Sequence, residues 1–307
     1  FEPRSPEDLA LLPELARLLR TGAGEAVVLA LGPSGAASRP LARRLGSDWT
    51  YACLPGLPVT PGQLPLGLLL DRYRARLAGR ATRVFGIAGL PLAHSRSPVF
   101  MNRLLPEILG DAVYVPFETH DLAALLRLAR DLPIEGLSIT MPLKEEAARL
   151  VDERSAEAEA AGSVNTVLVA GGRVFGANTD VEGIASAAAT LLPALERRHA
   201  LVLGAGGAAR AAVVALLGLG ARVTLSTRDL RRGRLAAKAL GTELAERASD
   251  VAFDLLVNAT PVGLDPDDDD IPFPAAALGA GAGRAVLDLV YRAGETALVR
   301  EARARGF

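Results

Sequence analysis

The stretch His199-Ala-Leu-Val-Leu203, followed at once by Gly204-Ala-Gly-Gly-Ala-Ala209, decides the fold of the C-terminal half of the chain. The five-residue apolar run predicts a buried strand, and a helix is predicted from about Ala208 to Leu217. A strand, a Gly-x-Gly-x-x-Ala turn and a helix in this order are typical of a dinucleotide-binding Rossmann unit. A structural glycine-rich turn in another kind of α/β sheet is the alternative.

The residue types in this turn suit a pyrophosphate group. Gly204 permits a tight turn, and Gly206 lets the backbone approach a ligand closely. The helix that follows presents free N–H groups and roughly half a positive charge at its N-terminus. We therefore predict that the cofactor is contacted by Gly204, Ala205, Gly206, Gly207 and Ala208.

The end of the next predicted strand, 222–226, indicates which nicotinamide cofactor binds. An NAD site usually has an acidic residue here, whereas this chain has Thr227, Arg228 and Arg232. Because the planar guanidinium suits a phosphate dianion, the arginines favour the 2′-phosphate of NADP(H). The role of Asp229 stays open, since this residue could bind a ribose or cap the following helix.

The composition excludes several classes of protein. The 307 residues carry a formal net charge of −1, which gives no field that would attract nucleic acid or an anionic membrane. Cys53 is the only cysteine, so neither an intrachain disulfide nor a cysteine metal cluster can form, and no metal site is predicted. No apolar run is long enough to span a membrane. We expect a cytoplasmic protein, or a plastid protein after removal of a transit peptide if the source is a plant.

Strand and helix patterns divide this α/β chain into four segments, 1–80, 81–182, 183–290 and 291–307. The second is predicted to bind substrate and the third to bind the cofactor. The last is the start of a helix expected to pack back on the substrate domain. The predicted strands outside the first segment lie at 83–88, 112–117, 136–140, 166–170, 199–203, 222–226, 255–258 and 285–289. In such sheets, ligands bind at the carboxyl ends of the strands.

Lysine is nearly absent, because 32 arginines stand against Lys144 and Lys238 alone. Arginine cannot shuttle protons at neutral pH, whereas lysine can. Lys238 lies on a polar helix face and needs no special explanation. Lys144 follows a predicted strand end, so we interpret it as a candidate proton donor, with a solvated side chain as the alternative.

Polar side chains gather at three other loop positions. Ser95 and Ser97 offer two hydroxyl groups, Asn165-Thr166 offers an amide and a hydroxyl, and Asp180 offers a carboxylate. Each group taken alone would more often cap a helix or stabilise a turn. Together they describe a pocket for a polyhydroxy acid.

From about residue 84 to residue 307 the chain resembles the shikimate dehydrogenase family, in six motifs that occur in the family's order. The motifs are Gly86-Ile-Ala-Gly-Leu-Pro-Leu-Ala-His-Ser-Arg-Ser-Pro98, Ser138-Ile-Thr-Met-Pro-Leu-Lys144, Ala161-Gly-Ser-Val-Asn-Thr166, Gly176-Ala-Asn-Thr-Asp180, Gly204-Ala-Gly-Gly-Ala-Ala-Arg210 and Asn258-Ala-Thr-Pro-Val-Gly263. The resemblance implies a two-domain enzyme that reversibly reduces 3-dehydroshikimate to shikimate with NADPH.

The resemblance also implies roles for particular residues. Ser95 and Ser97 would bind the substrate carboxylate, and Lys144 and Asp180 would form the catalytic pair. Ring hydroxyls would be bound by Thr140, Asn165 and Asp180, with Tyr291 beside the substrate. The 2′-phosphate would be held by Thr227, Arg228 and Arg232, with further cofactor contacts from Asn258 and Thr260.

Two features depart from the family pattern. Ser138 stands where the family commonly has Asn, although Ser is familiar in fused plant-type members. The chain also stops at Phe307, before the glycine-rich segment and the glutamine-bearing helix with which the family normally ends. We expect a piece of a longer protein.

The N-terminal segment, 1–80, resembles the end of type I 3-dehydroquinate dehydratase, a (β/α) barrel. Gly32-Pro-Ser-Gly-Ala-Ala-Ser-Arg39 and Pro61-Gly-Gln63 carry the resemblance, and Arg39 and Gln63 would be vestigial binding residues. Val59 stands where that family has Ser. No lysine precedes Lys144, so dehydration through a Schiff base is not expected. Strands at 26–31 and 49–54 and helices at 6–20 and 39–45 predict a truncated, poorly stable barrel from a fused dehydratase–dehydrogenase.

Three other functions stay open at this point. A metabolite-binding regulator without activity is one, although retention of Lys144 and Asp180 disfavours it. Quinate oxidation with NAD is a second, which Asp229 keeps open. A folate-type dehydrogenase is a third, and the two-serine loop disfavours it.

Overall fold

The computed structural model describes residues 2–20, 24–57, 60, 62–92, 95–132, 134–265, 267 and 269–307, with only the backbone at 33 and 34. The chain forms two compact units. Phe1–Glu153 with Asn165–Gly176 make up the first, and Arg154–Val164 with Ala177–Phe307 make up the second. Among the described residues, none of the helices has both the length and the apolar character that crossing a membrane requires.

A six-stranded mixed sheet forms the centre of the first unit. Its strands are β1 (Arg83–Gly89), β2 (Ala112–Glu118), β3 (Ile134–Ile139), β4 (Glu153–Arg154), β5 (Thr166–Ala170) and β6 (Arg173–Ala177), in the spatial order β2-β1-β3-β5-β6-β4. β1 is parallel to both β2 and β3, whereas β5 is antiparallel to β3. The carboxyl ends of β1 and β3 therefore lie at the same edge of the sheet, where the predicted substrate residues Ser95, Ser97 and Thr140 follow.

The helices of the first unit are α1 (Leu12–Leu19), α2 (Ser97–Leu109), α3 (Leu122–Asp131) and α4 (Lys144–Leu150). Asp121 caps α3 by accepting a hydrogen bond from the Ala124 N–H at 2.8 Å. In α2, Asn102 bonds to both backbone groups of Tyr114, accepting from its N–H at 2.8 Å and donating to its carbonyl at 2.7 Å. The Asn102 amide thus provides hydrogen-bond partners for backbone groups of β2, which has no neighbouring strand on its outer side.

The N-terminal segment, 1–80, differs from the predicted barrel fragment. The predicted strands at 26–31 and 49–54 are wrong: the described part of this segment has only one isolated bridge, Cys53 to Pro65. Side chains replace a neighbouring strand here, because Ser47 Oγ bonds to both the N–H and the carbonyl of Val28 at 2.8 Å. A truncated barrel is therefore not confirmed.

The helix predictions for this segment are partly confirmed. The 6–20 pattern forms a short 3₁₀ helix, Pro6–Leu11, that continues into α1. A second 3₁₀ helix, Pro33–Ser38, precedes the predicted helix at 39–45, which is a series of turns instead. A single π-helical turn covers Leu68–Arg72.

The N-terminal segment packs against the sheet of its own unit. Leu9 and Leu45 are both 1% exposed. They line, with Val84, Phe117 and other apolar side chains, a gap of only about 10 Å³. Protein interiors are packed this closely, so the segment completes the apolar core on one side of the sheet.

A fully parallel five-stranded sheet forms the centre of the second unit. Its strands are β7 (His199–Leu203), β8 (Arg222–Ser226), β9 (Glu243–Ala245), β10 (Leu255–Asn258) and β11 (Ala285–Asp288), in the order β11-β10-β7-β8-β9. The helices are α5 (Ala156–Ala161), α6 (Thr179–Leu191), α7 (Gly207–Gly218), α8 (Leu230–Leu240), α9 (Ala275–Leu278) and α10 (Ala297–Ala304). The predicted Rossmann-like unit is confirmed.

Candidate functional site

The turn between β7 and α7 has the geometry that a dinucleotide site requires. Gly204 adopts φ +115°, and a Cβ at this position would lie 2.9 Å from the Ala259 carbonyl oxygen, so only glycine fits. Gly206 is the N-cap of α7, and the helix begins at Gly207. The N-terminus of a 12-residue helix therefore points out of the carboxyl end of the central strand.

The predicted 2′-phosphate residues lie beside this turn. Thr227 is half-buried after β8, while Arg228 and Arg232 are exposed. Arg232 Nη2 lies 3.6 Å from the position that a Cβ on Gly206 would occupy, which places one guanidinium over the glycine-rich turn. Asp229 acts as the N-cap of α8, because its Oδ1 accepts a hydrogen bond from the Arg232 N–H at 2.9 Å. The helix-cap alternative thus accounts for the one carboxylate at this strand end.

The predicted substrate residues of the first unit gather at one sheet edge. Thr140 follows β3 and donates its N–H to the Ala88 carbonyl of β1 at 2.9 Å. The Asn165 carbonyl accepts a hydrogen bond from the Ile139 N–H, at 2.6 Å. Lys144 is the first residue of α4 and is half-buried.

The two serines lie in the loop that follows β1, at the same end of the sheet as Thr140. Ser97 is the first residue of α2, and its N–H donates to Ser95 Oγ at 3.3 Å. Both serines are half-buried. His94, which belongs to the same motif, lies outside the described residues. The structure thus brings Ser95, Ser97, Thr140, Asn165 and Lys144 to one end of the first unit.

Asp180 and Tyr291 belong to the second unit. Asp180 is the second residue of α6, and its N–H donates to Asn178 Oδ1 at 3.1 Å. Asn178 is 3% exposed, and its Nδ2 donates to both the carbonyl and the hydroxyl of Ser163 at 2.8 Å. Asp180 is thus placed by a buried amide that anchors the start of α6. Tyr291 follows β11 and is 62% exposed.

A hydrogen-bonded network that the sequence patterns do not indicate connects β10, β11 and α10. Asn258, fully buried at the end of β10, donates to Asp288 Oδ1 at 2.9 Å. Thr296 Oγ1 donates to Asp288 Oδ2 at 2.6 Å and caps α10. The available signals were an acidic residue near the end of a predicted apolar strand and a threonine just before a helical pattern. Neither signal indicates which residue the side chain contacts.

A parallel sheet with a glycine-rich turn, arginines after its second strand and a separate sheet edge with polar side chains are the features of an NADP-dependent oxidoreductase. Residues 87–167 match the family model of the shikimate dehydrogenase substrate binding domain. The NADP(+) shikimate dehydrogenase of Aquifex aeolicus is 34% identical over 229 residues, covering 73% of this chain and 83% of that protein. Its crystal structure superposes with a TM-score of 0.68. The chain belongs to the shikimate dehydrogenase family.

Two further relatives bear on the cofactor and on the N-terminal segment. The Thermus thermophilus shikimate 5-dehydrogenase, solved in complex with NADP(H) and shikimate, is 39% identical with a TM-score of 0.64, covering 74% of this chain and 85% of that one. The chloroplastic bifunctional 3-dehydroquinate dehydratase/shikimate dehydrogenase of Arabidopsis thaliana is 32% identical over 300 residues. That match covers 91% of this chain and 49% of the Arabidopsis protein.

Proposed function

We propose that this chain catalyses the reversible NADPH-dependent reduction of 3-dehydroshikimate to shikimate. The observation that carries the proposal is the pairing of two sites in one chain. One is a glycine-only turn with two arginines beside it. The other is a sheet edge bearing Lys144, an amide and three hydroxyl groups. Membership of the shikimate dehydrogenase family supports the assignment of the substrate.

The described residues fit an NADP cofactor. The Gly204 turn leaves no room for a side chain, so backbone N–H groups can approach a pyrophosphate. Thr227, Arg228 and Arg232 would hold the 2′-phosphate, while Asn258 and Thr260 would make further cofactor contacts. When bound, NADPH supplies the hydride.

We assign the chemistry of the ketone oxygen to Lys144. As the carbonyl carbon is reduced, its oxygen gains negative charge, which the Lys144 ammonium stabilises before donating a proton. Asp180, the second member of the proposed catalytic pair, would accept a hydrogen bond from a substrate hydroxyl and so orient it. In the reverse direction the same lysine accepts the proton of the shikimate hydroxyl.

Substrate binding at the sheet edge of the first unit is assigned to its polar groups. Ser95 and Ser97 would donate hydrogen bonds to the carboxylate, and Thr140 and Asn165 would bind ring hydroxyls. Tyr291, exposed after β11, is a further substrate residue that the family resemblance implies. A carboxylate receptor with several hydroxyl ligands discriminates strongly against analogues that lack one of these groups, because a polar partner would be left unpaired.

The deciding experiment is an absorbance assay at the nicotinamide band with four pairings, shikimate or quinate with NADP or NAD. We expect shikimate with NADP to give the highest kcat/KM, because Asp229 already serves as a helix cap and the exposed Arg228 and Arg232 follow the same strand. Faster turnover of quinate with NAD would contradict the assignment. Binding of shikimate without turnover in any pairing would favour a regulator instead.

We further propose that residues 1–80 derive from the end of a dehydratase domain. An alignment over 91% of the chain with the Arabidopsis bifunctional protein must include part of this segment, because the segment exceeds a quarter of the length. Arg39, 2% exposed, donates from Nε to the Gly62 carbonyl at 2.8 Å, and Gln63 Nε2 donates to the Ala52 carbonyl at 3.0 Å. Val59 and Pro61 lie outside the described residues. With no lysine in the segment, we expect no dehydratase activity from it.

A further inference from the structure

The carboxylate of Asp288, at the end of β11, joins three segments of the second unit. Its Oδ1 accepts hydrogen bonds from Asn258 Nδ2 at 2.9 Å and from the Val290 N–H at 3.1 Å. Its Oδ2 accepts the Thr296 hydroxyl at 2.6 Å. One side chain therefore fixes the end of β10, the loop after β11 and the start of α10.

The bond to Asn258 sets the orientation of a buried amide. Asn258 is fully buried, and with Nδ2 facing the carboxylate its Oδ1 must face Thr260. There Oδ1 accepts both donors of Thr260, the N–H at 3.0 Å and the hydroxyl at 2.7 Å. If the amide turned over, Nδ2 would face the Thr260 N–H and Oδ1 would face a carboxylate, and neither pair could form a hydrogen bond. Asp288 thus orients Asn258, which in turn bonds to Thr260 and, through Nδ2, to the Val262 carbonyl at 3.4 Å.

The other two bonds act on the loop that carries Tyr291. Val290 is the residue before Tyr291. Because its N–H is bonded to Asp288, the backbone is fixed next to the residue that carries the tyrosine side chain. Thr296 also accepts a hydrogen bond from the Val299 N–H at 3.3 Å as the N-cap of α10. The 289–296 loop is consequently held at both ends by the same carboxylate.

We propose that Asp288 is a positioning residue of the dehydrogenase. It holds the Thr260 loop, assigned to the cofactor, and the Tyr291 loop, assigned to the substrate, in one mutual arrangement. It acts through Asn258 and the backbone rather than on either ligand. The proposal rests on the proposed function, since it concerns the two loops to which that function assigns ligands.

Two conservative variants distinguish the effect of the position of the Asp288 carboxylate from the effect of its charge. Asp288→Asn keeps an acceptor oxygen toward Asn258 and Val290, and its new N–H can donate to the Thr296 hydroxyl oxygen. Asp288→Glu keeps the charge but moves the carboxylate by one methylene. We expect Asp288→Asn to stay within about threefold of the wild-type kcat/KM. Asp288→Glu should lose about tenfold or more, with a raised KM for NADPH, because small displacements of positioned groups are costly.

The measurements are steady-state kinetics, the NADPH dissociation constant by fluorescence titration and thermal unfolding of each variant. Asp250→Ala, which removes an exposed carboxylate of the same unit, is the matched control and should behave as wild type. Loss of kcat/KM in Asp288→Asn as large as in Asp288→Glu would overturn the positioning role, as would an unaffected Asp288→Glu. If the wild-type protein binds NADPH but turns over no substrate, the proposed function fails. The NADPH dissociation constants of the variants then still test the positioning role of Asp288.

Discussion

At the scale of single residues, Lys144 is the group on which the proposed chemistry depends. It occupies the first position of α4, directly after the turn that leaves β3. A cation at a helix N-terminus opposes the helix dipole, so helix stability does not explain the choice of lysine there. The same residue stands among 32 arginines, which cannot exchange protons at neutral pH. Both observations point to chemistry rather than to folding.

Replacing Lys144 by Ala should lower kcat by about 10²- to 10⁴-fold while shikimate affinity changes much less, because the proton donor is lost and the binding groups remain. Lys238→Ala is the matched control, since Lys238 is the only other lysine and lies on the exposed face of α8. Steady-state kinetics and shikimate titration measure the two effects. Unchanged turnover in Lys144→Ala would show that Lys144 is not the proton donor.

Replacing Arg228 or Arg232 by Ala should raise the KM for NADPH by about tenfold or more and leave the KM for NADH nearly unchanged. The reason is that each arginine would lose a charged hydrogen bond to the 2′-phosphate, which NADH lacks. Arg231→Ala, an exposed arginine of the same helix, is the control. An equal increase in the KM for NADPH and for NADH would show that these side chains do not contact the 2′-phosphate.

At the scale of elements, the sequence predicted the second unit much better than the N-terminal segment. Strands β7, β8 and β10 have their predicted bounds, because each is a short apolar run ended by polar residues. The run at 26–31 has the same appearance, but its partners are side chains of Ser38, Ser47 and Asp48, which periodicity cannot reveal. The Asp288 network was missed for the same reason, since Asn258 and Asp288 are 30 residues apart.

The start of β7 predicts a pH dependence of stability. His199 Nε2 lies 2.8 Å from Thr224 Oγ1, and burial, followed by the charge of Arg222, lowers the pKa of His199 below 6.5. Because the folded protein disfavours the charged ring, the contribution of His199 to stability is fully present above the unfolded pKa and is lost as pH falls through the folded pKa.

His199→Gln should therefore make the melting temperature depend less on pH below about 6.5. Thermal unfolding across a pH series measures this, with His120→Gln, at an exposed position, as the control. An identical pH profile for wild type and His199→Gln would show that the ring does not contribute.

At the scale of the whole chain, the N-terminal segment completes the core of the first unit whatever its origin. Leu9 and Leu45 pack against the sheet with almost no residual gap. Glu7 forms an ion pair with Arg127 of α3 at 2.9 Å. The segment therefore stabilises the unit that carries Lys144.

Leu9→Ala should lower the free energy of unfolding by about 2–5 kcal/mol, because a fully buried leucine leaves a cavity. Leu11→Ala, in the same short helix and 50% exposed, should cost much less. Chemical denaturation of both variants gives the comparison. Equal, small losses would show that the segment does not pack against the sheet as described.

The proposed activity is tested by the turnover of 3-dehydroshikimate with saturating NADPH, measured beside shikimate binding on the same protein. The presence in one chain of Lys144, the serine pair and the arginine-flanked turn predicts turnover at an ordinary enzymatic rate, about 1–10³ per second. Tight binding of shikimate with no consumption of NADPH would contradict it, and would make the protein a metabolite sensor on a dehydrogenase fold.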